Sequence, residues 1–144
     1  MRSMLEIEVS ELKILAVEDN RQTMRLLQNM LAEIGIRQVY TATTGREALD
    51  FLGDCEELVD VILCDWKLPE MSGFEVLRQV RTVDTDIPFL MVTGNSDPKS
   101  VLQAKNHGVT GYLVKPFSKA DLKKKIRLLQ RVLVARAPVS NAKL

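Results

Sequence analysis

A chain of 144 residues with 46% hydrophobic and 27% charged residues is long enough to bury one domain core, and this balance excludes a disordered or fibrous protein. It has no run of about 18 apolar residues, and acids interrupt its start where a signal peptide needs an apolar stretch, so a cytoplasmic protein is expected. The net charge of +1 is uneven: seven basic residues and one acid lie between Ser118 and Arg136, leaving 13 basic and 18 acidic residues elsewhere.

In chain order, strand and helix alternate five times. Residues 1–10 show no period and are expected to form an arm. Lys13 to Val17 reads as a buried strand closed by Glu18-Asp19-Asn20. A helix follows from Arg21 to Ile34, with Asn20 as N-cap, Met24, Leu27, Leu31 and Ile34 at helical spacing, and Gly35 as the stop. The second strand spans about Ile36 to Thr41. Thr44-Gly45-Arg46-Glu47 is a capping box that opens a helix ending near Gly53.

Val61-Ile62-Leu63-Cys64 is the apolar run of a strand buried on both faces, and Asp65 ends it. Pro69 and Gly73 mark the loop that follows. Ser72 to Glu75 is a second capping box, opening a helix to about Arg81. Pro88 to Val92 is the fourth strand, ending in Thr93-Gly94-Asn95. Ser96 or Asp97 before Pro98 starts a short helix that Gly108 stops. Tyr112 to Val114 is the fifth strand, closed by Lys115-Pro116. The last helix opens at Ser118-Lys119-Ala120-Asp121 and carries Leu122, Ile126, Leu129 and Leu133 on one stripe. The expected organisation is an arm at 1–10, one domain at 11–134 and a tail at 135–144.

Such alternation with short connections demands a parallel α/β sheet with right-handed crossovers and helices on both faces. Glu18, Asp19, Asp65, Thr93 and Lys115 then collect on one sheet edge, where open α/β sheets bind their ligands. Three neighbouring carboxylates repel one another unless a cation joins them. Mg²⁺ suits all-oxygen donors of this kind, whereas two separated cysteines and His107 alone supply no zinc set. A phosphoryl group arriving at Asp65 would meet the metal, the Lys115 ammonium and the Thr93 hydroxyl on different oxygens.

These residues, together with Leu68-Pro69, Gly73, Gly94 and Pro116-Phe117, resemble the response-regulator receiver domains of the CheY type over about residues 11 to 134. The resemblance implies a flavodoxin-like, doubly wound five-stranded sheet in the order 2-1-3-4-5 with five helices. It implies Asp65 as phosphoacceptor, with Glu18, Asp19, Asp65 and the Lys67 backbone carbonyl holding Mg²⁺. Thr93 and Lys115 would contact the phosphoryl oxygens, Thr93 and Tyr112 would form the switch, and Lys67 and Asn95 would tune dephosphorylation. A cis Lys115-Pro116 peptide is implied as well.

The implied protein is a two-component signalling switch whose chemistry is confined to its own phosphorylation and dephosphorylation. Its donor would be a sensor histidine kinase or phosphotransfer protein. Its output would be a protein target on the face of the fourth helix, fifth strand and fifth helix. With no further domain after Arg136, it is expected to act alone. The alternative is a receiver-like interaction module or dimerisation scaffold that works without phosphorylation.

A haloacid-dehalogenase-like phosphatase would need D-x-D where this chain has Glu18-Asp19-Asn20. A flavodoxin would need its phosphate loop after the first strand. His107 is expected to complement a helix end and Trp66 to pack. For the basic last helix a solvated face is the plain reading, since cations favour a helix C-terminal half. Leu128 and Val132, beside its core stripe, suit a protein partner or homodimer. No motif reads nucleic acid.

Overall fold

The computed structural model of the chain describes residues 8–55, 58–83, 86–94 and 98–142, with side chains as far as Ala135. The elements are β1 (Lys13–Val17), α1 (Arg21–Ile34), β2 (Gln38–Ala42), α2 (Gly45–Cys55), β3 (Val61–Asp65), α3 (Gly73–Val83), β4 (Phe89–Thr93), α4 (Pro98–Asn106), β5 (Gly111–Val114) and α5 (Lys119–Ala142). All strands pair in parallel, in the order β2-β1-β3-β4-β5. β3 lies at the centre and is buried along its whole length, which is why its sequence is continuously apolar.

The two-residue period of the strands divides the core into two layers. Ile14, Ala16, Val61, Leu63 and Leu90 face Met24, Leu27 and Leu31 of α1 and Leu122, Ile126, Leu129 and Leu133 of α5. Leu15, Val17, Ile62, Cys64, Phe89 and Met91 face Ala48 of α2, Val76, Leu77 and Val80 of α3 and Ala104 of α4. With helices on both faces, the carboxyl ends of the strands remain accessible, and the site forms there.

The caps explain where the helices begin and end. Asn20 accepts a hydrogen bond from the Thr23 amide at 2.9 Å, and Gly35 takes the left-handed conformation at φ +114°. Both ends of α1 thus fall where the sequence places them, the N-cap contributing about 1 kcal/mol. The Ser118 box forms in full: the Asp121 amide donates to Ser118 Oγ and the Ser118 amide to Asp121 Oδ2, each at 3.0 Å.

The other two boxes form by half. The Glu47 amide donates to Thr44 Oγ1, but the Glu47 carboxylate accepts from the Thr43 amide at 2.7 Å, one residue earlier than expected. The Glu75 amide donates to Ser72 Oγ, while its carboxylate turns to Arg78 at 2.7 Å. An arginine one turn on competes with a neutral amide for that carboxylate.

Hydrogen bonds from the Ser118 backbone and side chain hold the Asp121 carboxyl below its ordinary value of 3.8. A depressed carboxylate contributes stability above its unfolded pKa and loses it as pH falls through the folded value. The stability difference between parent and Asp121→Asn should be constant at neutral pH and close as pH drops below 3.8. Urea unfolding across that range checks it; a difference that persists in acid would exclude the cap as its source.

Elements depart from the sequence reading mainly at their ends. β2 starts two residues late, and α2 and α3 run two residues longer than expected. Val9 and Ser10, read as part of an arm, form a 3₁₀ turn with Glu11, and Val9 packs into the α1–α5 layer. α5 continues to Ala142, well into the expected tail. The proposed caps Ser96 and Asp97 lie outside the described residues.

Candidate functional site

Each site residue stands at the carboxyl end of a strand. Glu18 and Asp19 follow β1, Asp65 ends β3, Thr93 ends β4 and Lys115 follows β5. Glu18, Asp65 and Thr93 are buried and Asp19 is exposed, so the pocket opens on the Asp19 side. Oxygens of Glu18, Asp19 and Asp65 lie within 4.8 Å of one another.

Lys115 crosses the site. Its Nζ donates to Glu18 Oε1 at 2.8 Å and to Asp65 Oδ2 at 3.1 Å. Burial alone would lower the ammonium's pKa, but the hydrogen bonds and charges of Glu18 and Asp65 outweigh it and the pKa is raised. Lys115 is thus held as a cation. The remaining oxygens are also engaged: Glu18 Oε2 accepts from the Asn20 amide at 3.0 Å, and Asp65 Oδ1 from the Lys67 amide at 3.2 Å. Beneath them, burial pushes the Cys64 thiol far up, assisted by the charges of Asp65 and Glu18. Cys64 is therefore a packing residue, with little thiolate to react.

The carboxylate of Asp65 owes its position to the loop behind it. The Trp66 amide donates to the Val92 carbonyl at 2.8 Å, and the Gly73 amide returns to the Trp66 carbonyl at 2.9 Å. Gly73 touches this loop so closely that a Cβ there would stand 2.3 Å from the Asp65 carbonyl oxygen. Between them, Glu70 adopts φ +66° and the Met71 amide donates to the Pro69 carbonyl at 2.7 Å, a strained γ-turn on an exposed residue. The Lys115-Pro116 peptide is cis, as the family resemblance implies.

Three positions stand further out. Lys67 is exposed, two residues after Asp65. Tyr112 is half-buried opposite Met91, with Lys125 Nζ 5.5 Å from its ring centroid. Asn95 lies outside the described residues.

Trp66 is buried edge-on against Phe74, whose ring meets His107 in turn, and His107 Nδ1 bonds the Gln103 carbonyl at 2.9 Å. Both are packing and capping residues, as expected. Missed in the sequence was Arg81, whose guanidinium donates twice to the Gly108 carbonyl, at 2.8 and 3.0 Å, and seals the end of α4 from α3. No spacing rule relates residues so far apart.

An all-oxygen set of three carboxylates facing one ammonium fits a hard divalent cation, which would complete the charge balance. Thiol and imidazole donors are absent from this group, so the donor chemistry favours Mg²⁺ over zinc.

A sheet in this order, with this edge, is the architecture of a two-component signalling receiver. The chain belongs to the response regulator receiver domain family, whose model matches residues 14–127. It is 38% identical over 117 residues to a chemotaxis protein CheY homolog of Campylobacter jejuni, covering 80% of this chain and 89% of that protein. To the chemotaxis protein CheY of Pseudomonas aeruginosa it is 36% identical over 124 residues, covering 84% and 98%. The structure of chemotaxis response regulator CheY4 of Vibrio cholerae superposes with a TM-score of 0.75 at 35% identity, covering 82% of this chain and 98% of that one. Among the described residues no helix is long and apolar enough to cross a membrane.

Proposed function

We propose that this receiver takes a phosphoryl group from a phosphohistidine, on a sensor kinase or phosphotransfer protein, onto the carboxylate of Asp65. An Asp65 oxygen bonds to phosphorus, and the donor's P–N bond breaks with its electron pair returning to the imidazole. The observation that carries the reading is Lys115, whose ammonium is bonded to both Glu18 and Asp65 and so stands beside the acceptor oxygen. It orients that oxygen before transfer and accompanies the phosphoryl charge afterwards.

Glu18, Asp19, Asp65 and the Lys67 backbone carbonyl would hold Mg²⁺. Bound there, the ion supplies positive charge that offsets the phosphoryl oxygens. The Thr93 hydroxyl, buried at the end of the neighbouring strand, reads the new group. Phosphorylation adds close to two negative charges at Asp65. Thr93 moving toward them leaves room that Tyr112 fills, and the α4–β5–α5 face changes its affinity for a protein target. A homodimer through α5 would use the same face. The protein acts in the cytoplasm, and hydrolysis of the acyl phosphate resets it.

The test is incubation with a small phosphodonor and Mg²⁺, read by mass spectrometry. The parent should gain one phosphoryl group and Asp65→Asn none. An unmodified parent, or a modified Asp65→Asn, would sink the assignment.

Lys67 and Asn95 are the positions we assign to timing. The exposed Lys67 side chain, two residues past the acceptor, can shield the acyl phosphate from water. Lys67→Ala should therefore lose its phosphoryl group several-fold faster, on the order of 1 kcal/mol in barrier. Decay as slow as the parent's would remove Lys67 from that role.

A further inference from the structure

α5 carries a row of cations that the phosphorylation site does not use and of which the fold engages Lys119. Lys119, Lys123, Arg127 and Arg131 recur at every fourth position and are all exposed. They line one side of the helix for about 18 Å, with about 6 Å between neighbours. Lys119 reaches Glu33 of α1 at 3.0 Å, an exposed pair. Among the described residues Lys123, Arg127 and Arg131 have no ion-pair partner.

Helix electrostatics does not account for this row. Like charges four apart repel along a helix. Because α5 runs from Lys119 to Ala142, the row occupies its N-terminal half: the dipole disfavours Lys119 in the first turn, and no helix C-terminus favours the other three. The row is solvated, as the plain reading has it, but a C-terminal half does not explain it in a helix that continues to Ala142. The row also lies on the α1 side of the core stripe, whereas Lys125 and Leu128 border Tyr112 on the other side. It is a surface distinct from the α4–β5–α5 face.

We infer that this row docks a protein helix bearing Asp or Glu at every fourth position, laid alongside α5 so that acids and bases match at the same spacing. Charge complementarity favours a narrow partner. The chain outside residues 118–136 carries 18 acids against 13 bases, and Glu33 flanks the row. A nucleic-acid duplex spreads its phosphates over that acidic body, while a single helix keeps its charge within a Debye length of the row. The row has no exposed large apolar side chain to insert into a bilayer.

The experiment measures binding of the full chain, at low salt, to a synthetic helical peptide with Glu at every fourth position. A peptide of the same composition with scattered glutamates is the control. The parent should bind the ordered peptide at least about tenfold tighter than the scattered one. Lys123→Glu with Arg127→Glu should lose at least about tenfold and instead bind a peptide with Lys in the row. The same variant should melt no lower than the parent, since it relieves the row's repulsion. Lys123→Gln with Arg127→Gln should lose affinity to a smaller extent, without a new charge. Equal affinity for the two peptides, no binding, unchanged binding in either variant, or a lower melting point of the reversed variant overturns the inference. So does tighter binding to random-sequence duplex DNA or to phosphatidylserine vesicles in the same buffer.

Discussion

Lys115→Met should destabilise the protein by about 2–3 kcal/mol in metal-free buffer, near the lower end of what removing one partner of a buried ion pair costs. Methionine keeps the length and apolar stem of lysine, so packing is largely preserved. What disappears is the ammonium 2.8 Å from Glu18 and 3.1 Å from Asp65, leaving two buried carboxylates facing each other. The lysine side chain itself is about a quarter exposed, and water therefore tempers the loss. Millimolar Mg²⁺ should restore part of it, because a divalent ion on the same carboxylates replaces the missing charge and binds only the folded state. Urea unfolding with EDTA and with Mg²⁺ reads both effects. A variant as stable as its parent in EDTA would mean that Lys115 does not neutralise the pair.

The same variant should accept phosphoryl groups from a small donor about a hundredfold more slowly, as when a single preorganised donor is removed from a site of developing charge. The two readouts separate the roles of one side chain. Mg²⁺ can repair the stability loss without repairing the rate, since an ion on the carboxylates would replace the missing charge but not the hydrogen bond that Lys115 gives Asp65. Equal recovery of both would assign Lys115 to structure alone.

That Lys115, Glu18 and Asp65 belong together was legible in the sequence, and the reason is topological. A residue just after a buried parallel strand has its place set by the strand, so four short motifs at four strand ends must converge. The helix limits of α1 were legible for a local reason, because Asn20 and Gly35 are chemical signals for a start and a stop. Where competition decided, the sequence was silent. Glu47 and Glu75 each had two possible partners, and only folded geometry chose Thr43 and Arg78. Arg81 on Gly108, and the γ-turn at Glu70, depend on how α3 lies against its neighbours. The far end of α5 escaped because its core stripe stops at Leu133, and beyond that point no apolar period marks a helix.

Gly73 is where backbone packing and site chemistry meet, and Gly73→Ala should cost about 3 kcal/mol, the upper part of the overpacking range. In most cores an added methyl displaces the end of a side chain. Here its neighbours would be the Asp65 carbonyl oxygen at 2.3 Å, the Trp66 Cα at 2.8 Å and the Asp65 carbonyl carbon at 3.1 Å, all backbone. They cannot yield without moving Asp65, the residue that carries the proposed acceptor carboxylate. The variant should therefore also lose Asp65 phosphorylation by more than its unfolded fraction explains, measured under conditions where it remains folded. Gly53→Ala is the internal contrast: the site is exposed, within α2, and has nothing within 4 Å of the new Cβ. It should gain about 0.5–1 kcal/mol from helix propensity and a less flexible unfolded chain, with phosphorylation unchanged. If Gly73→Ala were as benign as Gly53→Ala, the loop behind Asp65 would have slack, and its close packing could not be what aims the carboxylate.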